Sequence, residues 1–309
     1  MRKNLPRLSI FVLGGTGFIG KHVCARLVRA GHDVTVLTRS RERHRDLLVL
    51  PTLRLVEGDP FDGAAVSRLI GGYDAVVNLA GIANERGRDG RGFRRVHVDL
   101  TRTLVSACEQ AGVRRLIHLG ALKADPDGPS HFLRTKGEGE EIVGTSSLAW
   151  TILQPSVVFG PQDRLTNRLA LMLKRLPVLP LARANARMAP VFVGDVAEAV
   201  LRALRSRAAV GQTYQLCGPR VFSLREVVQL VMRATGKRRL ILALSPSSGK
   251  LKSRLLDLLP DKPFSTDNYL TLSVHSICDS AAPGLLDLGI QPTALEPALT
   301  RYLGGSPTA

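Results

Sequence analysis

Leu8-Ser9-Ile10-Phe11-Val12-Leu13-Gly14-Gly15-Thr16-Gly17-Phe18-Ile19-Gly20 decides the fold. Leu8 to Leu13 is a short apolar run that stops on two glycines. Beyond Gly17, apolar residues recur at Ile19, Val23 and Leu27, while Lys21, Arg26 and Arg29 fall elsewhere and Gly31 ends the pattern. The reading is strand, tight turn, helix. Glycine permits the turn and lets backbone approach a pyrophosphate, and the helix that follows aims its free N–H groups and positive dipole end at that anion. The spacing is G-x-x-G-x-x-G, unlike the G-x-G-x-x-G of ordinary dehydrogenases. Gly14, Gly15, Thr16, Gly17, Phe18, Ile19 and Gly20 are therefore expected to bind a nicotinamide dinucleotide.

Working outward, apolar runs at Leu8 to Leu13, Val34 to Leu37, Leu53 to Val56, Ala75 to Leu79, Leu116 to Leu119 and Trp150 to Leu153 alternate with helical segments. Runs apolar on both faces suit parallel strands covered on each side, so the expected fold is α/β, a doubly wound Rossmann sheet with a smaller C-terminal lobe. The dinucleotide domain is expected over 1–160, with 187–217 returning to it, and the smaller lobe over 161–309. In that lobe, Asn167 to Leu176 reads as helix, Pro190 to Ala197 as strand into helix, Gln212 to Leu216 as strand and Leu224 to Thr235 as amphipathic helix. The remainder reads as irregular structure with short helices.

At the end of the second strand, where an NAD enzyme places an acid for the ribose hydroxyls, stands Thr38-Arg39-Ser40-Arg41. Arg39 would meet a 2′-phosphate, which favours NADP(H). NAD(H) stays open because Glu42 lies near enough to reach a ribose. Asp59, in Gly58-Asp59, either meets the adenine edge or caps the turn at Pro60. Asn78-Leu79-Ala80-Gly81 ends the fourth strand, and Asn78, Ala80 and Gly81 are placed beside the cofactor.

Together with His118 to Asp125, Phe132 to Glu140, Gln154 to Pro161 and Pro190 to Ala197, these motifs resemble an extended or atypical short-chain dehydrogenase/reductase. More narrowly, the chain resembles the nucleotide-binding accessory subunit of respiratory complex I and its bacterial relatives. The likeness is closest over the first 215 residues and loose beyond. In active members a Tyr four residues before a Lys supplies the proton and an upstream Ser holds the substrate oxygen. Here the Lys is Lys136, the Tyr position is Phe132 and the Ser position aligns with Gly120. The resemblance implies that Lys136 holds the nicotinamide ribose and that Pro155 to Val158 lines the nicotinamide side, but that no ordinary catalytic residue remains. Restoring both hydroxyls, as Gly120→Ser with Phe132→Tyr, is expected to return trace activity. His131, Ser130, Lys123 and His118 are the candidate substitute acids. The implied role is a structural, assembly or regulatory factor in quinone-linked respiratory metabolism, partnered by a respiratory or quinone-biosynthesis complex; the alternative is an active NADP-dependent oxidoreductase, epimerase or dehydratase with a non-standard acid.

The balance of 43 basic against 26 acidic residues gives +17, which favours a polyanion. Of those 43, 34 are Arg spread along the whole chain, and no aromatic platform accompanies them, so no specific nucleic acid is expected. An anionic membrane surface fits one segment, in which Leu251, Leu255, Leu256 and Leu259 fall at helical spacing beside Lys250, Lys252 and Arg254, although such a stripe more often packs a core. Met1-Arg2-Lys3 before an apolar run superficially resembles a signal peptide, but the run breaks at Gly14-Gly15 without a small-residue cleavage site and reads as a buried strand. Cys24, Cys108, Cys217 and Cys278 are too dispersed for a C-x-x-C pair and too few for a disulfide scaffold, so no metal site and a reducing cytoplasm are expected, with attachment to the inner face of the cytoplasmic membrane the peripheral variant.

Overall fold

The computed structural model describes residues 6–257 and 264–304. β1 (Ser9–Leu13) runs through the glycine turn into α1 (Phe18–Arg29), followed by β2 (Asp33–Thr38), β3 (Leu53–Glu57), α2 (Gly63–Ile70) and β4 (Ala75–Asn78). α3 (Arg91–Arg94) continues through a π turn at Arg95–Asp99 into α4 (Leu100–Ala111), and β5 (Arg115–Leu119), α5 (His131–Gly144) and β6 (Ala149–Pro155) complete the regular alternation. Then come β7 (Val158–Phe159), α6 (Arg164–Arg175), β8 (Val178–Leu181), β9 (Arg187–Met188), β10 (Val191–Phe192), α7 (Val193–Arg205) and β11 (Gln212–Leu216). The chain closes with β12 (Phe222–Ser223), α8 (Leu224–Ala234), β13 (Leu240–Ala243), α9 (Pro246–Leu256), α10 (Thr266–Thr271) and α11 (Leu295–Leu303).

Seven of these strands form one parallel sheet in the order β11-β6-β5-β4-β1-β2-β3. The order reverses between β1 and β4, and at such a switch point the loops leaving the strands part to form a crevice. The doubly wound expectation is met, for the reason the sequence suggested. Ile10, Val12, Val36 and Val77 point to the layer of α1 and α7, while Phe11, Leu13, Val76 and Leu116 point to that of α2 and α4. Each fully buried side chain of this size contributes about 1.5–3 kcal/mol.

A second apolar cluster joins Leu169 and Leu173 of α6, Leu179 of β8, Val227 and Val231 of α8 and Leu299 of α11. Two features depart from the sequence reading. Leu240–Ala243, expected to be irregular, is a strand paired in parallel with β8, with Ile241 packed on the second cluster and its other residues exposed. Cys217 and Cys278, expected to be isolated thiols, are joined in a disulfide across 61 residues. The segment after Ser276 folds back along β11, where Gln215 N–H donates to Pro283 O and Asp279 N–H to Gln215 Oε1, and this brings the cysteines together. Cys24 and Cys108 are buried, and burial pushes both thiols up to about 12, which leaves them inert.

Candidate dinucleotide site

Each glycine of the turn has a separate cause. Gly14 is left-handed (φ +79°), and a Cβ there would stand 2.6 Å from Leu79 C and 2.7 Å from Ala80 N, so it allows the first and fourth strand ends to touch at the switch point. A Cβ on Gly20 would lie 2.2 Å from Gly14 O, which makes Gly20 the residue that lets α1 pack on the turn. Gly15 leaves room for Val36 and Cys24. Gly17 differs: a Cβ there would meet only Gly14 O, at 3.4 Å. It is exposed and caps α1 with no side-chain hydrogen bond, and the first turn of α1 holds no acid. An open backbone surface at an uncapped helix N-terminus fits a pyrophosphate. Thr16, Phe18 and Ile19 are all partly exposed around it.

Arg39 is exposed just past β2, and among the described residues it has no hydrogen-bond or ion-pair partner. The nearby carboxylates are engaged: Glu42 pairs with Arg45, and Glu57 accepts from Arg41 N–H at 2.5 Å. Asp59 performs the turn role, accepting from Phe61 N–H at 3.1 Å, and its side chain is exposed. Asn78 is buried and points inward. Its amide nitrogen lies 3.1 Å from His118 Nδ1 and its oxygen accepts from Ala80 N–H, so it shapes the strand end rather than offering its side chain to a ligand. His118 is held neutral, pulled down to about 3 by burial and then by the Lys136 charge.

At the other end of the crevice, Lys136 of α5 is buried and donates through Nζ to Leu119 O at 2.8 Å. That ammonium lies 3.4 Å from where a Cβ on exposed Gly81 would be, so Gly81 opens the way to it. Burial holds its pKa below the usual range, against the nearby Glu140 carboxylate, which raises it. Glu140 sits one turn further on the same helix face and accepts from Ala121 N–H at 2.9 Å and Gln154 Nε2 at 2.6 Å. Burial drives its pKa up, opposed by those bonds and by Lys136.

Glu140 also explains Gly120. A Cβ at 120 would lie 2.0 Å from Glu140 Oε1, so the carboxylate fills the space that a Ser side chain would need. A Ser at 120 would have to displace the Glu140 carboxylate from its bonds to Ala121 N–H and Gln154 Nε2 before its hydroxyl could take that place. The sequence reading missed Glu140, although its spacing of four from Lys136 was the available signal. His97 was missed as well. Its Nε2 accepts from Ile82 N–H and its Nδ1 meets Thr135 Oγ1 at 2.9 Å, which ties the turn after Gly81 to α5. Burial, then Lys136 and His118, keep its pKa well below normal.

Phe132 packs edge-on against Phe93 and His97 at 6.1 and 5.6 Å. Three of the four substitute acids are otherwise engaged, and the fourth, His118, is the buried neutral imidazole already described. Ser130 caps α5 through Leu133 N–H, Lys123 pairs with Asp279 at 2.6 Å, and His131 Nδ1 lies 3.1 Å from Arg134 Nη2. Pro155 is buried at the end of β6 and accepts from Leu122 N–H, while Val158 of β7 is partly buried and packs against the α1/α7 side of the core. Among the described residues no group of His, Cys, Asp and Glu is arranged to hold a metal.

Residues 14–207 match a family model described as NAD(P)H-binding. The chain is 30% identical over 303 residues to the mitochondrial NADH dehydrogenase [ubiquinone] 1 alpha subcomplex subunit 9 of Mus musculus, covering 96% of this chain and 79% of that protein. It is 31% identical over 191 residues to the ceramide reductase of Caulobacter vibrioides, covering 61% of this chain and 58% of that protein. Among solved structures, the dTDP-glucose 4,6-dehydratase DesIV of Streptomyces venezuelae, with NAD and TYD bound, superposes with a TM-score of 0.75 at 20% identity over 96% of each chain.

Proposed function

Taking as premise that this chain belongs to the NAD(P)H-binding family, as an atypical short-chain dehydrogenase/reductase related to the complex I subunit, we propose that it is an NADP(H)-holding protein without ordinary dehydrogenase catalysis. The carrying observation is Glu140 in the space beside Gly120, where a substrate-holding hydroxyl would have to displace a buried, hydrogen-bonded carboxylate. Phe132 adds to it, since a phenyl ring in an aromatic cluster has no proton to give. Gly17 and the N-terminus of α1 would take the pyrophosphate, Arg39 a 2′-phosphate, and Lys136 with the opening at Gly81 the nicotinamide ribose. Bound NADPH would supply a hydride donor, and these residues would hold and orient it. The free guanidinium of Arg39, with Glu42 and Glu57 engaged, supports NADP(H) over NAD(H).

On this reading the cofactor stabilises the protein by mass action. The relative in the respiratory enzyme suggests the setting: a structural, assembly or regulatory factor in quinone-linked respiratory metabolism. The test follows NADPH absorbance with ketones, quinones and sugar nucleotides, using the natural chain and Lys136→Ala. Binding without turnover is expected. Robust turnover that Lys136→Ala abolishes would establish an active reductase instead, with Glu140 as the first acid to examine.

A further inference from the structure

The second-lobe sheet of β8 and β13 is apolar on both faces but covered on one. Leu179 and Leu181 are buried, and Ile241 packs on the lobe's core. On the opposite face the register sets Leu240 beside Val178 and Leu242 beside Pro180. Leu240 is 66% exposed, Leu242 52% and Val178 38%, and Leu176 at the strand's entrance is exposed too. Parallel strands apolar on both faces ordinarily carry a layer on each. Here the second layer is missing among the described residues, and a contiguous apolar surface of this kind marks an interaction site.

The surroundings of this face are cationic. Lys174 and Arg175 end α6, Lys237 and Arg238 precede β13, and all four are exposed. The stretches 164–194 and 227–256, which supply α6, β8, most of α8 and β13, contain no Asp or Glu at all. A nucleic acid would call for stacking aromatics, whereas the exposed residues here are Leu and Val. Leucines beside lysine and arginine match an anionic bilayer, whose headgroup boundary takes apolar side chains while its phosphates meet the cations.

We propose that the outer face of β8 and β13, with Lys174, Arg175, Lys237 and Arg238, docks the chain on an anionic phospholipid bilayer. The attachment is peripheral, because no described helix is long and apolar enough to cross a membrane. It is separate from the cofactor site and holds whether or not NADP(H) is bound. Leu251, expected to pack a core, is 60% exposed on α9 and extends the apolar character of this lobe's surface; the side chains of Leu255 and Leu256, and Leu259 itself, lie outside the described residues.

The experiment is co-sedimentation of the full chain with mixed phosphatidylglycerol/phosphatidylcholine vesicles and with pure phosphatidylcholine vesicles. Binding to the anionic vesicles alone is expected, weakened by high salt because the charge contribution is screened. Leu240→Asp with Leu242→Asp, and separately Lys237→Glu with Arg238→Glu, should each lower the partition at least about tenfold. Both pairs are exposed, so circular dichroism and NADPH binding should stay at parental values. No binding to anionic vesicles, equal binding to neutral ones, or undiminished binding by the Leu240/Leu242 variant overturns the proposal. Retention on RNA or an acidic protein without vesicle binding overturns it as well.

Discussion

Arg39 is a cation past the end of a strand with no protein partner among the described residues, and its neighbouring carboxylates are engaged. Arg39→Asp should cost NADPH roughly ten- to a hundredfold in affinity, the worth of one charge-assisted hydrogen bond, and should narrow the gap to NADH. Competitive fluorescence titrations check this, and an unchanged preference would separate Arg39 from the phosphate. Lys136 titrates within reach of experiment because burial lowers its pKa to about 8. The ammonium is present below that pH and is lost as pH rises through it, so NADPH affinity should fall over the same window. The 2′-phosphate finishes its own titration near about 6 and does not interfere. Glu140→Gln removes the anion that raises the Lys136 pKa, so the midpoint should move to lower pH; His97 and His118, the other titratable groups interacting with Lys136, are already neutral there. A midpoint that stays put would show that Glu140 does not sustain the lysine's charge. Gly120→Ser should destabilise by about 1–3 kcal/mol through overpacking against Glu140, and Glu140→Ala should recover part of that in a double-mutant cycle. The positions of Lys136, buried on α5, and Arg39, exposed past β2, were legible because family spacing and strand ends locate them. Glu140 offered only its spacing of four from Lys136, because its importance comes from a carboxylate reaching Ala121 beyond β5 and Gln154 of β6, which the packing reveals.

The strand–turn–helix unit was readable in full because apolar period and glycine spacing agree, and the structure divides the work among its glycines. Gly20→Ala presses a methyl into Gly14 O and should lower stability by about 1–3 kcal/mol through displacement of α1. Gly17→Val meets little protein, so it should abolish NADPH binding while lowering the melting temperature only modestly. Thermal melts with and without NADPH distinguish the two; a full cofactor-induced shift in Gly17→Val would mean that the anion lies elsewhere. β13 escaped the sequence reading for a physical reason. A four-residue apolar run paired to a strand about sixty positions earlier carries no periodic signal of its own.

Over the whole molecule, the parallel sheet was legible from alternating runs, whereas the closure of the C-terminal segment on β11 was not. Long-range return of a chain leaves no trace in local pattern, and the Cys217–Cys278 bond depends on it. Cys217→Ser should therefore cost about 2–4 kcal/mol of stability. Thiol titration of the denatured, unreduced chain should find Cys24 and Cys108 alone. The proposed function has the glycine turn, the guanidinium past β2 and the buried lysine of α5 hold one cofactor, and isothermal calorimetry of the natural chain against NADPH and NADH tests that most directly. One NADPH bound per chain, at least about tenfold tighter than NADH, is the predicted result. Equal affinity for the two, or no binding of either, would contradict it.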